Sequence, residues 1–241
     1  MKPGNPIILA LDVPGYDEAV EIVKKFSGHI EVFKVGSGLF TSSGPKIIKQ
    51  IHLMGRKVFL DLKFHDIPNT VAASAAAAAR LGVFMFNVHA LGGSGMMRQA
   101  AEAIRKTSLD ENIDRPKLIG VTILTSIDQN ALRDELGIGL RMGAEVRHLA
   151  GLAYNAGLDG VVASPEDAEN IRSHFGKDFL IVTPGIRPSW AAADDQKRML
   201  APREALRRGA DYIVLGRAVL SQPDPLKALE RIKEEISGLQ R

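Results

Sequence analysis

The segment 58–70 carries the densest chemistry in this sequence, because an apolar run there ends in closely spaced charges. Successive side chains of a strand point to opposite faces, so Asp61 and Lys63, two residues apart, are predicted to share a face. Asp66 follows just past the strand end. Two carboxylates beside one ammonium lose hydration when they are buried, an arrangement that catalytic sites need more often than structural ones. The spacing predicts an acid–base–acid cluster; on these residues alone, a buried ion pair that fixes a strand end is the alternative.

These residues belong to a chain in which short apolar runs alternate with helical patterns. Strands are predicted at 7–11, 32–35, 58–62, 85–88, 118–122, 160–162, 180–182 and 212–215, and helices at 16–26, 44–54, 69–81, 93–107, 141–156, 165–175, 202–208 and 225–237. The strands are rich in Val, Ile and Leu, which is typical of a parallel sheet covered on both faces. Eight strand-then-helix units predict an α/β fold, a TIM (β/α)8 barrel, as a single domain over residues 1–241. A doubly wound sheet is the alternative, but no G-x-G-x-x-G motif follows the first strand.

Polar residues occur at the carboxyl ends of the predicted strands, which is where TIM barrels carry their chemistry. In strand order they are Asp12; Lys34; Asp61 and Lys63; Asn87 and His89; Thr122 and Thr125; Ser164; Thr183 and Arg187; and Gly216 with Arg217. Any single member could be a packing or capping residue, as Asp12 would be if it only capped the first helix. A whole ring of them at one end of a barrel favours a catalytic pocket.

The last two strands carry a second signal, for an anion. Gly216 lets an anion approach the backbone where a short helix is predicted to begin, and Arg217 adds a charged, forked side chain. Strand seven ends in the sequence TPGIR, residues 183–187, and loops after strands seven and eight often bind phosphate in this fold. These residues predict a phosphate-bearing substrate, with the polar loop 187–202 closing over it. The alternatives are a strand-ending glycine beside a surface arginine and an ordinary surface loop.

The composition excludes several kinds of site and partner. The chain has no cysteine, so it forms no disulfide or thiolate metal site, and its 6 histidines show no metal-ligand spacing, so we expect no metal. Only 5% of residues are aromatic and the net charge is +3 with scattered bases, which argues against nucleic acid and suits a small anion. No apolar run approaches the roughly 20 residues of a membrane span, and no signal peptide is recognisable. We therefore expect no membrane contact and a cytoplasmic location.

Together these motifs resemble the bacterial type of the orotidine 5′-phosphate decarboxylase family. The matching stretches are LALDV at 9–13, FKVG at 33–36, DLKFHDIPNT at 61–70, VTILTS at 121–126, TPGIR at 183–187 and VLGRA at 214–218. They extend over essentially the whole chain, and the long D-x-K-x-x-D-I-P-N-T form is specific. No position in these stretches departs from the family pattern.

The resemblance implies decarboxylation of orotidine 5′-monophosphate to UMP without metal or cofactor, by a homodimer of TIM barrels with shared active sites. It implies that Lys63 donates a proton to C6 and that Asp61 lies near the substrate carboxylate; Lys34 and Asp66 complete the catalytic set. The implied substrate-binding residues are Asp12 and Lys34 at the ribose, Asp66, Ile67 and Thr70 reaching the partner's site, Thr125 at the pyrimidine, and Pro184, Arg187, Gln196, Gly216 and Arg217 toward the phosphate.

Two alternatives to that function stay open. The wider family includes hexulose phosphate synthases and keto-gulonate phosphate decarboxylases, which have a D-x-K-x-x-D motif and use Mg²⁺. The IPNT continuation at 67–70 favours the orotidine enzyme. The alternative of a different class is a catalytically inactive barrel that only binds a nucleotide or a partner, and the complete acid–base set argues against it.

Overall fold

The computed structural model describes residues 4–188, 190 and 200–238. Within them, eight strands form a closed barrel in sequence order, and neighbouring strands are parallel. The strands are β1 (Ile7–Ala10), β2 (Val32–Gly36), β3 (Lys57–Phe64), β4 (Met85–His89), β5 (Lys117–Val121), β6 (Gly160–Val162), β7 (Leu180–Thr183) and β8 (Tyr212–Leu215). This architecture confirms the predicted TIM barrel.

Side chains of each strand alternate between the inside of the barrel and the helices around it. Ile8, Phe59 and Tyr212 belong to a buried cluster drawn only from strand residues and their neighbours. Leu9 and Leu60 pack in a larger cluster that includes the apolar faces of the helices. Because inward positions recur every second residue, a polar residue two places beyond an inward apolar one faces the barrel mouth. The strands therefore direct their last inward side chains to one common space.

Helices cover the outside of the barrel. In the described part of the chain they are α1 (Tyr16–Phe26), α2 (Ser37–Ser43), α3 (Lys46–Leu53), α4 (Pro68–Arg80), α5 (Gly93–Asp110), α6 (Gln129–Asp134), α7 (Met142–Asn155), α8 (Ala168–Phe175), α9 (Pro202–Arg207), α10 (Arg217–Leu220) and α11 (Pro225–Ser237), with a 3-10 turn at Ala90–Gly92. Proline opens α4, α9 and α11, because its fixed φ suits the first turn and its missing N–H is not needed there. No helix found in these ranges is both long and apolar enough to cross a membrane.

The strand predictions are confirmed, with ends that differ by two residues at most, but the sequence pattern missed two short helices. The helix predicted over 44–54 is α3, and a separate helix, α2, precedes it and is followed by Gly44, whose φ of 61° suits glycine. The segment 126–139, predicted as loop, contains α6. Asp128 starts that helix, since its Oδ1 accepts hydrogen bonds from the N–H groups of Asn130 and Ala131 at 3.1 and 3.0 Å. The pattern missed α6 because only Leu132 in it is buried.

The backbone on either side of the predicted loop 187–202 meets at the base of that loop. Ile186 forms an isolated parallel bridge with Leu200. The N–H of Arg187 donates to the carbonyl of Leu200 at 3.0 Å, and the N–H of Leu200 donates to the carbonyl of Gly185 at 3.4 Å. Residues 185–187 and Leu200 are therefore paired beside the end of β7, and most of the segment between them lies outside the described residues.

Candidate active site

Strand β3 brings a carboxylate and an ammonium together at the barrel mouth. Asp61 is 8% exposed, and its Oδ1 lies 2.7 Å from Nζ of Lys63. Leu60 and Leu62 pack with the helix-side cluster. The two charged residues thus share the side of the strand that the alternation predicted for them.

The pair extends into a line of four alternating charges across the first three strands. Nζ of Lys34, on β2, lies 3.1 Å from Oδ2 of Asp61 and 3.0 Å from Oδ1 of Asp12, which follows β1. The Lys34 and Asp61 side chains are 12% and 10% exposed, whereas those of Asp12 and Lys63 are 60% and 36% exposed. The middle of the line is therefore buried and its two ends are open.

Burial and neighbouring charge act in opposite directions on the middle pair. Burial lowers the pKa of the Lys34 ammonium, but the charges of Asp61 and Asp12 outweigh burial and leave that pKa above its ordinary value. Burial raises the pKa of the Asp61 carboxyl, but Lys34 and Lys63 more than offset it and leave that pKa below its ordinary value. Both groups consequently stay charged at neutral pH, and the site presents fixed charges rather than a titrating one.

The backbone at Lys63 departs from strand geometry. Its φ is 52°, in the left-handed region that costs a non-glycine residue roughly 1–2 kcal/mol. The N–H of Lys63 donates to Oδ1 of Asn87 at 2.8 Å, and Nδ2 of Asn87 donates to Oδ1 of Asp61 at 2.7 Å. The sequence placed Asn87 among the strand-end polar residues but gave it no role. The only signal was one amide within the otherwise apolar run of β4.

A cavity of about 250 Å³ opens beside these charges, at the carboxyl ends of the strands. Asp12, Lys34, Asp61 and Lys63 line it from β1, β2 and β3. Residues from the ends of β5 to β8 line the rest, among them Val121, Ile123, Thr125, Val162, Val182, Pro184, Arg187, Val214, Gly216 and Arg217. A charged wall beside a largely apolar one suits a small molecule that has both charged and apolar parts.

Gly216 brings the backbone at the end of β8 close to the end of β1. A Cβ at this position would lie 3.5 Å from Cβ of Ala10 and 3.6 Å from Oδ2 of Asp12. Arg217 begins α10 directly after it, with its side chain exposed at the cavity. The sequence had predicted this glycine, this arginine and this short helix at one place, and the structure brings them together.

Three of the predicted site residues that the structure describes do not line this cavity. Asp66, Ile67 and Thr70 are exposed where α4 begins, and Oδ1 of Asp66 accepts a hydrogen bond from the N–H of Ile67 at 2.6 Å. The acid–base–acid cluster predicted from Asp61, Lys63 and Asp66 within one chain was therefore wrong in its third member, because the turn after β3 points Asp66 outward. Gln196 lies outside the described residues.

Two other strand-end polar residues have structural partners. Oγ1 of Thr122 donates to the carbonyl of Val162 at 2.9 Å, and Oγ of Ser164 donates to Oδ2 of Asp167 at 2.6 Å. Both are buried, and neither lines the cavity. Across the described ranges, no group of three or more His, Asp or Glu side chains is arranged to hold a metal ion.

The arrangement can stabilise negative charge on a bound molecule and protonate it. An ammonium held in place by a carboxylate needs little reorganisation when charge develops beside it, and it carries a proton to give. A parallel eight-stranded barrel with such groups around a cavity at its strand ends defines a TIM-barrel enzyme.

Within that class, the chain belongs to the orotidine 5′-phosphate decarboxylase / HUMPS family, whose sequence model matches residues 5–232. It is 51% identical over 232 residues to the orotidine 5′-phosphate decarboxylase of Syntrophotalea carbinolica, covering 96% of this chain and 95% of that one. It is 51% identical over 237 residues to that of Trichlorobacter lovleyi, covering 98% and 97%. The crystal structure of the Lactobacillus acidophilus orotidine 5′-phosphate decarboxylase matches with a TM-score of 0.81 at 39% identity, covering 96% of this chain and 98% of that one. These findings confirm the family that the motifs indicated.

Proposed function

We propose that this chain decarboxylates orotidine 5′-monophosphate to UMP, the last step of de novo pyrimidine synthesis, without a metal or other cofactor. The observation that carries the proposal is the Lys63 ammonium, paired with Asp61 at 2.7 Å, on the wall of a cavity that also holds Gly216 and Arg217. The activity named for the relatives at 51% identity over nearly the whole chain supports the choice of reaction.

Lys63 is assigned the chemical step. Loss of CO₂ from C6 leaves a very basic carbanion, and a cation already in place lowers the energy of that charge and then donates a proton to it. Asp61 would lie next to the departing carboxylate, and Lys34 would hold Asp61 in position through its 3.1 Å contact with Oδ2. Because Lys34 and Asp61 both stay charged at neutral pH, neither has to gain or lose a proton before the reaction.

The phosphate of the substrate is assigned to the ends of β7 and β8. Pro184, Arg187, Gly216 and Arg217 line that part of the cavity, and the two arginines supply positive charge. Gln196 is assigned to the same end on the resemblance alone. Energy from binding this remote group can be used to close and dehydrate the site, so it should raise turnover as well as affinity.

The rest of the substrate is assigned between these two ends. Asp12 and Lys34, 3.0 Å apart, would contact the ribose, and Thr125 at the end of β5 would contact the pyrimidine. The apolar side chains of β5 to β8 would then lie along the base.

The active site is further proposed to be shared between two subunits. Asp66, Ile67 and Thr70 line no part of their own chain's cavity, and all three are exposed together at the start of α4, with Ile67 68% exposed. A second copy docked on the start of α4 would cover Ile67 and receive Asp66 and Thr70 in its own site.

The single-domain assignment over residues 1–241 and the cytoplasmic location also stay predictions.

Turnover of orotidine 5′-monophosphate in the presence of EDTA tests the reaction and its metal independence together. We expect loss of substrate absorbance at the same rate with and without chelator, since the Asp61 carboxylate is already neutralised by two lysines. Activity that disappears with EDTA and returns with Mg²⁺ would favour the metal-dependent relatives in the family. No turnover under either condition would favour a barrel that only binds.

A further inference from the structure

We propose that Asn87 is a positioning residue for the reaction: its one side-chain amide holds the Lys63 backbone in the left-handed conformation and orients the Asp61 carboxylate. This inference rests on the proposed function, because it concerns how the lysine and the carboxylate of that reaction are placed. Asn87 does not line the cavity and acts through its two neighbours.

The need for such a residue comes from the pairing of β3 with β4. Leu60 of β3 is paired with Phe86 of β4, and the next paired residues of the two strands are Phe64 and Val88. Between these pairs β3 advances four residues while β4 advances two, so β3 bulges where Asp61 and Lys63 lie. Backbone groups in a bulge lose their ladder partners, and a buried N–H without a partner is costly. The Lys63 N–H finds its partner in the Asn87 side chain, at 2.8 Å.

The orientation of the Asn87 amide is fixed by its surroundings. A backbone N–H can only donate, so the amide oxygen must face Lys63, and the amide nitrogen must then face Asp61. Asn87 is 1% exposed, so its amide is shielded from bulk solvent. Oδ1 of Asp61 accepts two hydrogen bonds, one from Nδ2 of Asn87 and one from Nζ of Lys63, both at 2.7 Å.

Lys63 is therefore tied to the Asp61 carboxylate by two routes. Its ammonium contacts Oδ1 directly, and its backbone N–H reaches the same oxygen through the Asn87 amide. Fixing both the backbone and the tip of a long side chain removes most of its freedom to leave the cavity wall. The sequence alone cannot reveal this arrangement, because it depends on the bulge.

The same amide also favours the ionised form of Asp61. The charged groups near this carboxylate are Lys34 from β2, Lys63 from β3 and, through Lys34, Asp12 after β1. From β4 come the neutral amide of Asn87 and, beside Lys63, the His89 ring. An N–H donor aimed at a carboxylate oxygen disfavours protonation of that oxygen. Loss of Asn87 should therefore raise the pKa of Asp61.

The test compares Asn87→Ala and Asn87→Asp with Thr122→Val. The alanine variant removes both hydrogen bonds. The aspartate variant nearly keeps the side-chain volume and the acceptor for the Lys63 N–H, but it replaces the donor to Asp61 with a second carboxylate. Thr122→Val is the control, because Thr122 is a buried strand-end residue on β5 whose hydroxyl bonds only to a backbone carbonyl. The readouts are kcat, KM, the acidic limb of the kcat–pH profile, and the Asp61 titration by carbon-13 NMR.

We expect kcat to fall at least thirtyfold in both Asn87 variants while KM changes less than threefold, with the acidic limb moving to higher pH. The Asp61 titration should move the same way in Asn87→Ala, and Thr122→Val should resemble the wild-type protein. A kcat within threefold of wild type in either variant would overturn the proposal. A lower kcat with an unmoved Asp61 titration would overturn it too, since Asn87 would then only support the fold.

If Asn87→Ala does not fold, the test uses Asn87→Asp alone. The value of kcat and the position of the acidic limb of its pH profile in that variant then support or overturn the proposal. A wild-type protein that does not turn over orotidine 5′-monophosphate contradicts the proposed function instead, and the NMR titration still tests the hydrogen bond.

Discussion

Lys34 and Lys63 bind opposite oxygens of one carboxylate: Nζ of Lys34 lies 3.1 Å from Oδ2 of Asp61, and Nζ of Lys63 lies 2.7 Å from Oδ1. Two ammonium groups this close would repel each other without the charge between them. Asp61 therefore places a negative charge between one buried lysine and one partly exposed lysine and reduces the repulsion between them. Its neutralisation would disturb both lysines at once.

The first prediction concerns Lys63 as proton donor. Lys63→Ala should fold and bind UMP, but lose nearly all turnover, because the other lysine that contacts Asp61 in the described part of the chain, Lys34, has a side chain only 12% exposed, against 36% for Lys63. Lys57→Ala is a matched control, since Lys57 begins the same strand and pairs with Glu31 at an exposed site. Steady-state rates decide: more than about a tenth of the wild-type kcat in Lys63→Ala, a barrier change below roughly 1.4 kcal/mol, would exclude the assignment.

The second prediction concerns the shared site. Lys63→Ala and Asp66→Asn subunits should each be inactive alone, and a mixture should regain activity, because one of the two sites in each hybrid then has only intact residues. Subunit exchange must be shown in the same mixture by pull-down of one tagged subunit. Exchange without recovery of activity would contradict the contribution of Asp66 to the partner's site.

The third prediction concerns the phosphate end. Arg217→Ala removes a charge-assisted contact worth about 1.5–3 kcal/mol, so kcat/KM for orotidine 5′-monophosphate should fall at least tenfold. The phosphate-free nucleoside should show almost no penalty. Gln196→Ala should cost less than Arg217→Ala, since it removes a neutral hydrogen bond. Arg207→Ala is the control, because Arg207 is exposed on α9 away from the cavity. Equal penalties on the two substrates would assign Arg217 to the fold or to the pyrimidine instead.

The fourth prediction concerns pH and stability. The pKa of Asp61 lies below its ordinary value of 3.8 in the folded state, so its ion pairs stabilise the protein fully above that value and lose their effect as pH falls through the folded pKa. The pKa of Lys34 is raised above 10.5, so its contribution is complete below 10.5 and is lost as pH rises further. Urea unfolding should show a difference between wild type and Asp61→Asn that is constant near neutral pH and shrinks below about pH 4. A difference that stays constant down to pH 3 would show that the pKa of Asp61 is not lowered in the folded protein.

Much of the fold could be predicted because each strand is a short run rich in apolar residues. The carboxyl ends of all eight strands lie at the same end of the barrel. The order of elements therefore predicted that Asp12, Lys34, Asp61 and Lys63, which lie at or just after strand ends, would come together. The helices α2 and α6 could not be found in this way. Each buries few residues, and local hydrogen bonds such as the Asp128 cap define α6 more than an apolar face does.

What the sequence could not provide is the direction of side chains where the backbone leaves regular geometry. The left-handed φ of Lys63 lies within the bulge in β3, and the turn that exposes Asp66 comes directly after it. Strand alternation predicted that Asp61 and Lys63 would share a face, and Asp66 was added because it lies just past the strand end. Neither argument could show that Asn87 would bridge Asp61 and Lys63. The role of Asp66 came from the family resemblance, and it stays a prediction.

The bridge between Ile186 and Leu200 joins the two ends of the intervening segment, so the geometry of the barrel does not depend on how long that segment is. Once two ends of a loop are joined, each doubling of its length adds only about 0.6 kcal/mol to the entropy cost of closing it. We therefore expect insertions between 190 and 199 to leave β7 and α9 in place. The charges at the other side of the cavity are held by three strands, so a change in the length of that segment should not move them.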